Sequence, residues 1–362
     1  MVKNMIQTEE HKKDLLEIAK KLQKKSQSCP TDENGEPTGT YMEYISMMFD
    51  PGVASIAKHL TIFPITTSSN KLSKQLGMTK EEIHETLKEP SKRGFIMKAG
   101  NRYALASPLL IHDAPFVLQE NYKRDDIKLF ADLSRKYFEQ EKYYKVWETS
   151  RRDIPRMKVI TVSEEIVPLH EIVPIGEVLK VINKHDIFAV FPCPCRLRKE
   201  IEGDRKCKDK YPIHNCINMG PLAKGLLERG DKAAKEISRE EAKEIVKQSV
   251  ELGLVLATDN TIDNTMILCS CCECCCGTIG GLTRYDNPRA IARANYVCTV
   301  DSAACVGCET CISRCKFGAI TVETVAEVNI NKCVGCGLCV VTCPQEALSM
   351  QAFDRGEKAL DE

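Results

Sequence analysis

Two cysteine runs near the C-terminal end limit what this chain can be more than any other feature. Cys305, Cys308, Cys311 and Cys315 are spaced C-x2-C-x2-C-x3-C, and Cys333, Cys336, Cys339 and Cys343 repeat that spacing, the second run closing on Pro344. A cubane iron-sulfur cluster takes four thiolates from the corners of a tetrahedron, and two-residue gaps let one looped backbone wrap three of them around a single cluster, with the fourth arriving from elsewhere. C-x2-C pairs also serve structural zinc. Two complete four-cysteine runs in tandem argue against zinc here.

With the Ala319-Ile320 and Ala347-Leu348 pairs that follow each run, residues 296–350 resemble the bacterial two-cluster 4Fe-4S ferredoxin. The resemblance implies two [4Fe-4S] clusters with crossed ligation. Cys305, Cys308, Cys311 and Cys343 would hold one cluster, and Cys333, Cys336, Cys339 and Cys315 the other. Lys316 stands where that family usually has proline after the fourth cysteine, which puts a charge beside the Cys315 cluster.

The chain has 362 residues, room for two or three domains, and its 51 Lys+Arg balance 51 Asp+Glu, so no global field directs it to nucleic acid or an anionic membrane. Twenty cysteines would form a disulfide scaffold only after export. The first residues lack the apolar core of a signal peptide, and no apolar run reaches a membrane span. The expectation is therefore a cytoplasmic, metal-binding chain from an anaerobe or a reducing niche.

Five segments are expected, together an α+β multidomain chain. Residues 1–40 carry an amphipathic helix over 8–25, with Leu15, Leu16, Ile18, Ala19 and Leu22 at helical spacing, and a loop in which Cys29 lies alone as a thiol without a metal. Residues 41–112 read helix, helix, helix, hairpin. Ser68 or Ser69 starts one helix that stops at Gly77, Thr79 with Glu82 forms a capping box for the next, and a hairpin turns at Ala99-Gly100-Asn101. This resembles a winged helix-turn-helix domain, a family label that implies DNA binding. The recognition helix, however, carries Glu81, Glu82, Glu85 and Glu89 against Lys80 and Lys88, and carboxylates there would meet phosphate oxygens. Protein docking or a structural use is the expectation over DNA readout, and Pro90 should interrupt that helix early. Residues 113–165 supply a helical bridge, with Ile127, Leu129, Phe130, Leu133, Tyr137 and Phe138 as the apolar set of one helix and Tyr143, Tyr144 and Trp147 as aromatic core.

Residues 166–290 form a Cys-rich α/β middle domain with a helix over 177–184, strands over 187–191 and 265–268, and a capping box at Ser238 and Glu241 that opens a helix over 240–252. Ten cysteines here are candidate ligands of one or more further clusters: Cys193, Cys195, Cys207, Cys216, Cys269, Cys271, Cys272, Cys274, Cys275 and Cys276. In extended chain Cys193 and Cys195 would face one metal centre. Seven bases from Arg196 to Lys210 (Arg196, Arg198, Lys199, Arg205, Lys206, Lys208, Lys210) against four acids favour thiolate over thiol. Iron-sulfur is the expectation over zinc, because the block is fused to the ferredoxin-like segment. It loosely resembles ferredoxin-fused iron-sulfur proteins of anaerobic metabolism, and Cys275-Cys276-Gly277 weakly resembles the cysteine-rich motif of heterodisulfide-reductase-type subunits. Gly277–Gly281 is glycine-rich but opens no clear helix, so no nucleotide fingerprint is read there.

Residues 291–362 complete the chain with the two-cluster ferredoxin-like domain and a polar tail; Cys298 reads as a packed thiol, and 320–323 with 327–330 as a hairpin. No catalytic residues are assigned. The expected function is single-electron transfer between a soluble donor or acceptor and a larger oxidoreductase, the redox partner. The rivals are a redox-sensing regulator acting through the winged helix and a reductase with an open-site middle cluster.

Overall fold

The computed structural model describes residues 6–24, 29–149, 153–162, 176–228, 233–261 and 265–360. The chain divides into two compact units, Met1–Arg151 with Leu197–Asp204, and Arg152–Arg196 with Arg205–Glu362. Both mix helix and sheet, as an α+β chain should. The segment boundary expected at 165/166 lies outside the described residues.

In the first unit, helix Glu9–Gln23 begins where the Thr8 hydroxyl accepts from the His11 amide at 3.0 Å and buries Leu15, Ile18, Ala19 and Leu22. Cys29 packs against it, its thiol donating to Ala19 O at 3.5 Å, and burial pushes that thiol up to about 12. Helix Ser69–Leu76 is capped by Ser68 and stopped by Gly77 at φ 69°, the left-handed conformation that glycine adopts without strain. Helix Lys80–Lys92 follows its capping box, with Glu82 N donating to Thr79 Oγ1 at 3.1 Å and Thr79 N to Glu82 Oε2 at 2.8 Å. Strands Ile96–Ala99 and Arg102–Leu105 form the hairpin, and Thr67–Ser68 adds a third antiparallel strand beside Arg102–Leu105.

Two expectations fail in this unit. Pro90 does not interrupt its helix early; the helix runs on to Lys92, and the ring is buried on the same face as Ile83 and Leu87. So close to the helix end, proline forfeits one backbone bond and gains an apolar contact. The single helix expected beyond residue 113 is several pieces: Pro108–Val117, Arg124–Arg135, a π-turn at Lys136–Gln140 and Tyr144–Glu148. Tyr122 fixes the first break, donating to Arg93 O at 2.7 Å with its ring 4.4 Å from the Arg93 guanidinium. Ile127, Phe130, Leu133, Tyr137 and Phe138 are buried as expected, and Tyr143 and Trp147 join them around His112.

The second unit is built on a six-stranded sheet in the order Met157–Val159, Val255–Asp259, Ile267–Cys271, His214–Met219, Phe188–Pro192, Lys235–Ile237. Every neighbouring pair is antiparallel, so helices and strands alternate as expected but without parallel crossover units. Helix Arg239–Glu251 carries the second capping box and buries Ala242 and Val246 in the core; helix Gly176–Asn183 lies close to the expected span. Its C-terminal segment pairs Tyr296–Val300 with Leu348–Ala352 and folds Ile320–Val322 onto Ala326–Val328, both antiparallel. Arg314 ties this segment to helix Arg239–Glu251, donating to Val250 O at 2.9 Å and Glu251 O at 3.1 Å, where carbonyls at a helix end lack internal partners. Among the described residues, no helix is long and apolar enough to cross a membrane.

Candidate metal centres

Each C-terminal cysteine run wraps a turn that points three thiols inward, and the two runs share their fourth positions. Cys305, Cys308, Cys311 and Cys343 line one cavity of ≈ 330 Å³ including its mouth; Cys333, Cys336, Cys339 and Cys315 line a second of ≈ 350 Å³. The tight backbone needs glycine: Gly335 at φ 76° and Gly337 at φ 79° run so close to Tyr296 O and Val162 O that a Cβ at either would overlap the carbonyl. Backbone amides are aimed at two of the sulfurs, Ala319 N at Cys315 Sγ and Ala326 N at Cys305 Sγ, both 3.3 Å. Such N–H···S contacts stabilise a thiolate and tune a cluster. Burial holds the Cys336 and Cys311 thiols above their ordinary range, so a metal has to displace those protons on binding. Cys308 is exposed, with Thr310 Oγ1 3.4 Å from its sulfur, and that hydrogen bond lowers its pKa.

Cys298 is packed in the core of the C-terminal segment, as expected. It is buried on strand Tyr296–Val300, lines the second cavity, and receives a hydrogen bond from Cys339 Sγ at 3.5 Å. Nothing local in the sequence marks it, because the pairing of that strand with Leu348–Ala352 is what carries it to the cavity. Lys316 is paired to Glu273 Oε1 at 3.3 Å, which neutralises the charge expected beside Cys315 and joins the C-terminal segment to the cysteine tract.

The ten middle cysteines divide into two groups. Cys207, Cys272, Cys274 and Cys275 have all four sulfurs within 4.8 Å of one another. The other six follow each other in a closed ring, each thiol perturbing the next: Cys193 with Cys195 and Cys216, Cys216 with Cys269, Cys269 with Cys271, Cys271 with Cys276, and Cys276 with Cys195. The sheet makes this ring. Strand Ile267–Cys271 runs further than the 265–268 expected, so Cys269 and Cys271 alternate onto one face, and the register Ile217↔Leu268 brings Cys216 beside Cys269.

Three readings of this region need correction. Cys193 and Cys195 are not neighbours along extended chain: Cys195 lies in helix Pro194–Ile201, because Pro194 suits a first helical turn. Their thiols still meet, through that turn. Residues 277–283 are helical, opened by Cys276, whose Sγ accepts from Ile279 N at 3.4 Å; Gly280 makes room for Arg284, which donates to Cys276 O at 3.0 Å. The basic run also does not act on the thiols as a whole. Arg198 donates to Asp113 at 2.8 Å and Lys199 to Glu202 at 2.8 Å, so those charges are matched by carboxylates in the first unit.

Arg196 is the base that faces the sulfurs. It is 0% exposed and donates to Pro212 O at 3.0 Å, to Asn215 Oδ1, and to Ser270 O at 2.8 Å. Burial opposes its charge, but Cys193, Cys272 and Cys216 outweigh burial and hold its pKa above the ordinary value. In return Cys216 and Cys272 sit well below the ordinary thiol range, first through hydrogen bonds from neighbouring thiols and then through Arg196. One buried cation thus serves both cysteine groups.

Residues 326–349 match the family model described as a 4Fe-4S binding domain, a segment that holds Cys333, Cys336, Cys339 and Cys343 but not the first run. No curated protein and no solved structure matches the chain. The matched segment makes this an iron-sulfur, metal-binding chain with a ferredoxin-like element, and the middle cysteine group is a second candidate metal site.

Proposed function

We propose that the chain is an electron-transfer protein or subunit. Two C-terminal [4Fe-4S] clusters would pass single electrons between a soluble donor or acceptor and a larger oxidoreductase of anaerobic metabolism, in the cytoplasm. The observation that carries the reading is the pair of cavities, each lined by three cysteines of one run and the fourth of the other, the ligand crossing that two-cluster ferredoxins use. When bound, such clusters accept and release one electron at a time. The chain's own residues supply thiolates, two N–H···S contacts and a partly open first cavity, where Cys308 is exposed and Val306 is 64% exposed. That face suits electron exchange with a partner. The six-thiol ring is the site for the additional middle cluster, and the Lys316–Glu273 pair supports a route between the two regions.

The regulator reading lacks support from the helix that would read DNA, since Glu85 and Glu89 lie exposed on it and pair with Lys88 and Lys92 of the same helix. Paired single-site variants test the ligation. Cys315→Ala should remove the cluster otherwise held by Cys333, Cys336 and Cys339, and Cys343→Ala the other, each variant losing about four irons and one of two EPR signals. If Cys315→Ala and Cys311→Ala extinguished the same signal, the crossed assignment would be wrong.

A further inference from the structure

We infer that Cys207, Cys272, Cys274 and Cys275 form a mononuclear site for one tetrahedral zinc ion, separate from the iron-sulfur clusters. The size of the sulfur cage selects a single ion over a cluster. A zinc-thiolate bond of about 2.3 Å sets the edge of a tetrahedral four-sulfur cage at about 3.8 Å, by simple geometry. The separations here are 3.6 Å for Cys207–Cys275, 3.7 Å for Cys272–Cys274 and Cys274–Cys275, and 3.9 Å for Cys207–Cys272. A cubane interposes four irons and four sulfides between its ligands and pushes the thiolates apart. All four sulfurs of this group lie within 4.8 Å of one another, a cage with room for a single ion.

The surroundings agree with a closed structural site. Cys207 comes from a turn held by Lys210 N and Tyr211 N on its carbonyl at 3.1 and 3.0 Å. The other three ligands come from the turn at 272–275, which the bond from Cys276 N to Cys272 O at 3.2 Å closes. Tyr211 and Leu254, both buried, pack around the sulfurs, and Cys274 alone is not fully buried. Four thiolates leave a zinc ion no open position, so its contribution is to folding. Four thiolates on a divalent ion also leave a net charge of −2, and the buried Arg196 guanidinium against Cys272 offsets part of it. The ion would pin the 205–211 segment to the end of strand Ile267–Cys271, the strand that supplies two sulfurs of the six-thiol ring.

The test uses full-length protein purified without oxygen from cells supplied with both iron and zinc. Metal analysis should give one zinc per chain beside the iron, and zinc-edge X-ray absorption should give four sulfur neighbours at about 2.3 Å with no metal neighbour. Cys207→Ser should drop zinc at least several-fold while the C-terminal EPR signals keep their wild-type amplitude. Zinc absent from the wild type, zinc with nitrogen or oxygen neighbours, a mononuclear iron tetrathiolate in the Mössbauer spectrum in its place, or a Cys207→Ser variant that loses a cluster's worth of iron would each overturn the inference. The absorption spectrum needs no variant, so poor folding of Cys207→Ser does not remove the test. Iron at the C-terminal quartets is scored separately, so failure of the electron-transfer reading would be distinguishable.

Discussion

Replacing Arg196 should show how much the middle region depends on one buried charge. Arg196→Met keeps most of the side-chain volume but deletes the donors to Pro212 O, Asn215 Oδ1 and Ser270 O. A hydrogen bond from a charged group contributes about 1.5–3 kcal/mol, and a buried charge stripped of its partner costs about 3–5 kcal/mol. These terms overlap, since the same guanidinium makes all of them, so the expected loss is on the order of 5 kcal/mol, comparable to the whole stability of a domain. Arg196→Lys keeps the charge but has no planar fork to reach three acceptors, and should lose about 2–3 kcal/mol. At roughly 2–4 °C per kcal/mol for a domain of this size, the Lys variant should melt about 5–10 °C lower. Calorimetry and metal analysis of anaerobic protein should show Arg196→Met depleted of middle-region metal, and Arg196→Lys intermediate between it and the wild type. An Arg196→Met protein with full metal content and an unchanged melting temperature would refute the role given to this cation.

Three further outcomes are expected. Burial, and then the charge of Arg198, hold His112 well below its ordinary value of 6.5, so it stays neutral when folded and takes a proton in the unfolded chain. First-unit stability should therefore be full above about pH 6.5 and fall by about 1.36 kcal/mol per pH unit below it, roughly 2 kcal/mol by pH 5. The only tryptophan, Trp147, lies 6.1 Å from the His112 ring and reports the melting; stability that rises toward acid would contradict the assignment. Gly337→Ala puts a Cβ into Val162 O at a positive φ and should cost the second quartet its cluster, about four irons; full iron retention would show that the loop relaxes. Because Glu81, Glu82, Glu85 and Glu89 line an exposed helix face, affinity for the protein's own upstream DNA should match that for random duplex at physiological salt, and nanomolar selective binding would revive the regulator.

The grouping of the C-terminal cysteines around two cavities was legible because three thiols of each run are spaced along one looped backbone and the resemblance implied the crossed fourth position. Capping boxes at Thr79 and Ser238 were legible for the same reason: cap and partner lie three residues apart. The six-thiol ring was not. It takes Cys193 and Cys195 from a strand–helix junction, Cys216 from one strand, Cys269 and Cys271 from its neighbour and Cys276 from a helix cap, and the register between strands exists only after folding. The division of the ten cysteines into six and four was hidden likewise, since Cys271 with Cys274 and Cys272 with Cys275 are both C-x2-C pairs that allowed alternative ligand sets; the structure takes up Cys272 with Cys275 and parts Cys271 from Cys274. Pro90 shows the opposite failure, a strong local rule overridden because the residue falls near a helix end and its ring is buried.

The most direct test of the electron-transfer account is iron and acid-labile sulfide analysis of protein purified without oxygen, followed by EPR during stepwise reduction. Two C-terminal cubanes and a further cluster in the six-thiol ring predict clearly more than eight irons per chain with matching sulfide, and signals that titrate one electron at a time, two of them lost selectively in Cys315→Ala and Cys343→Ala. A chain with no more than four irons, or with zinc filling the C-terminal quartets and no signal on reduction, would contradict it.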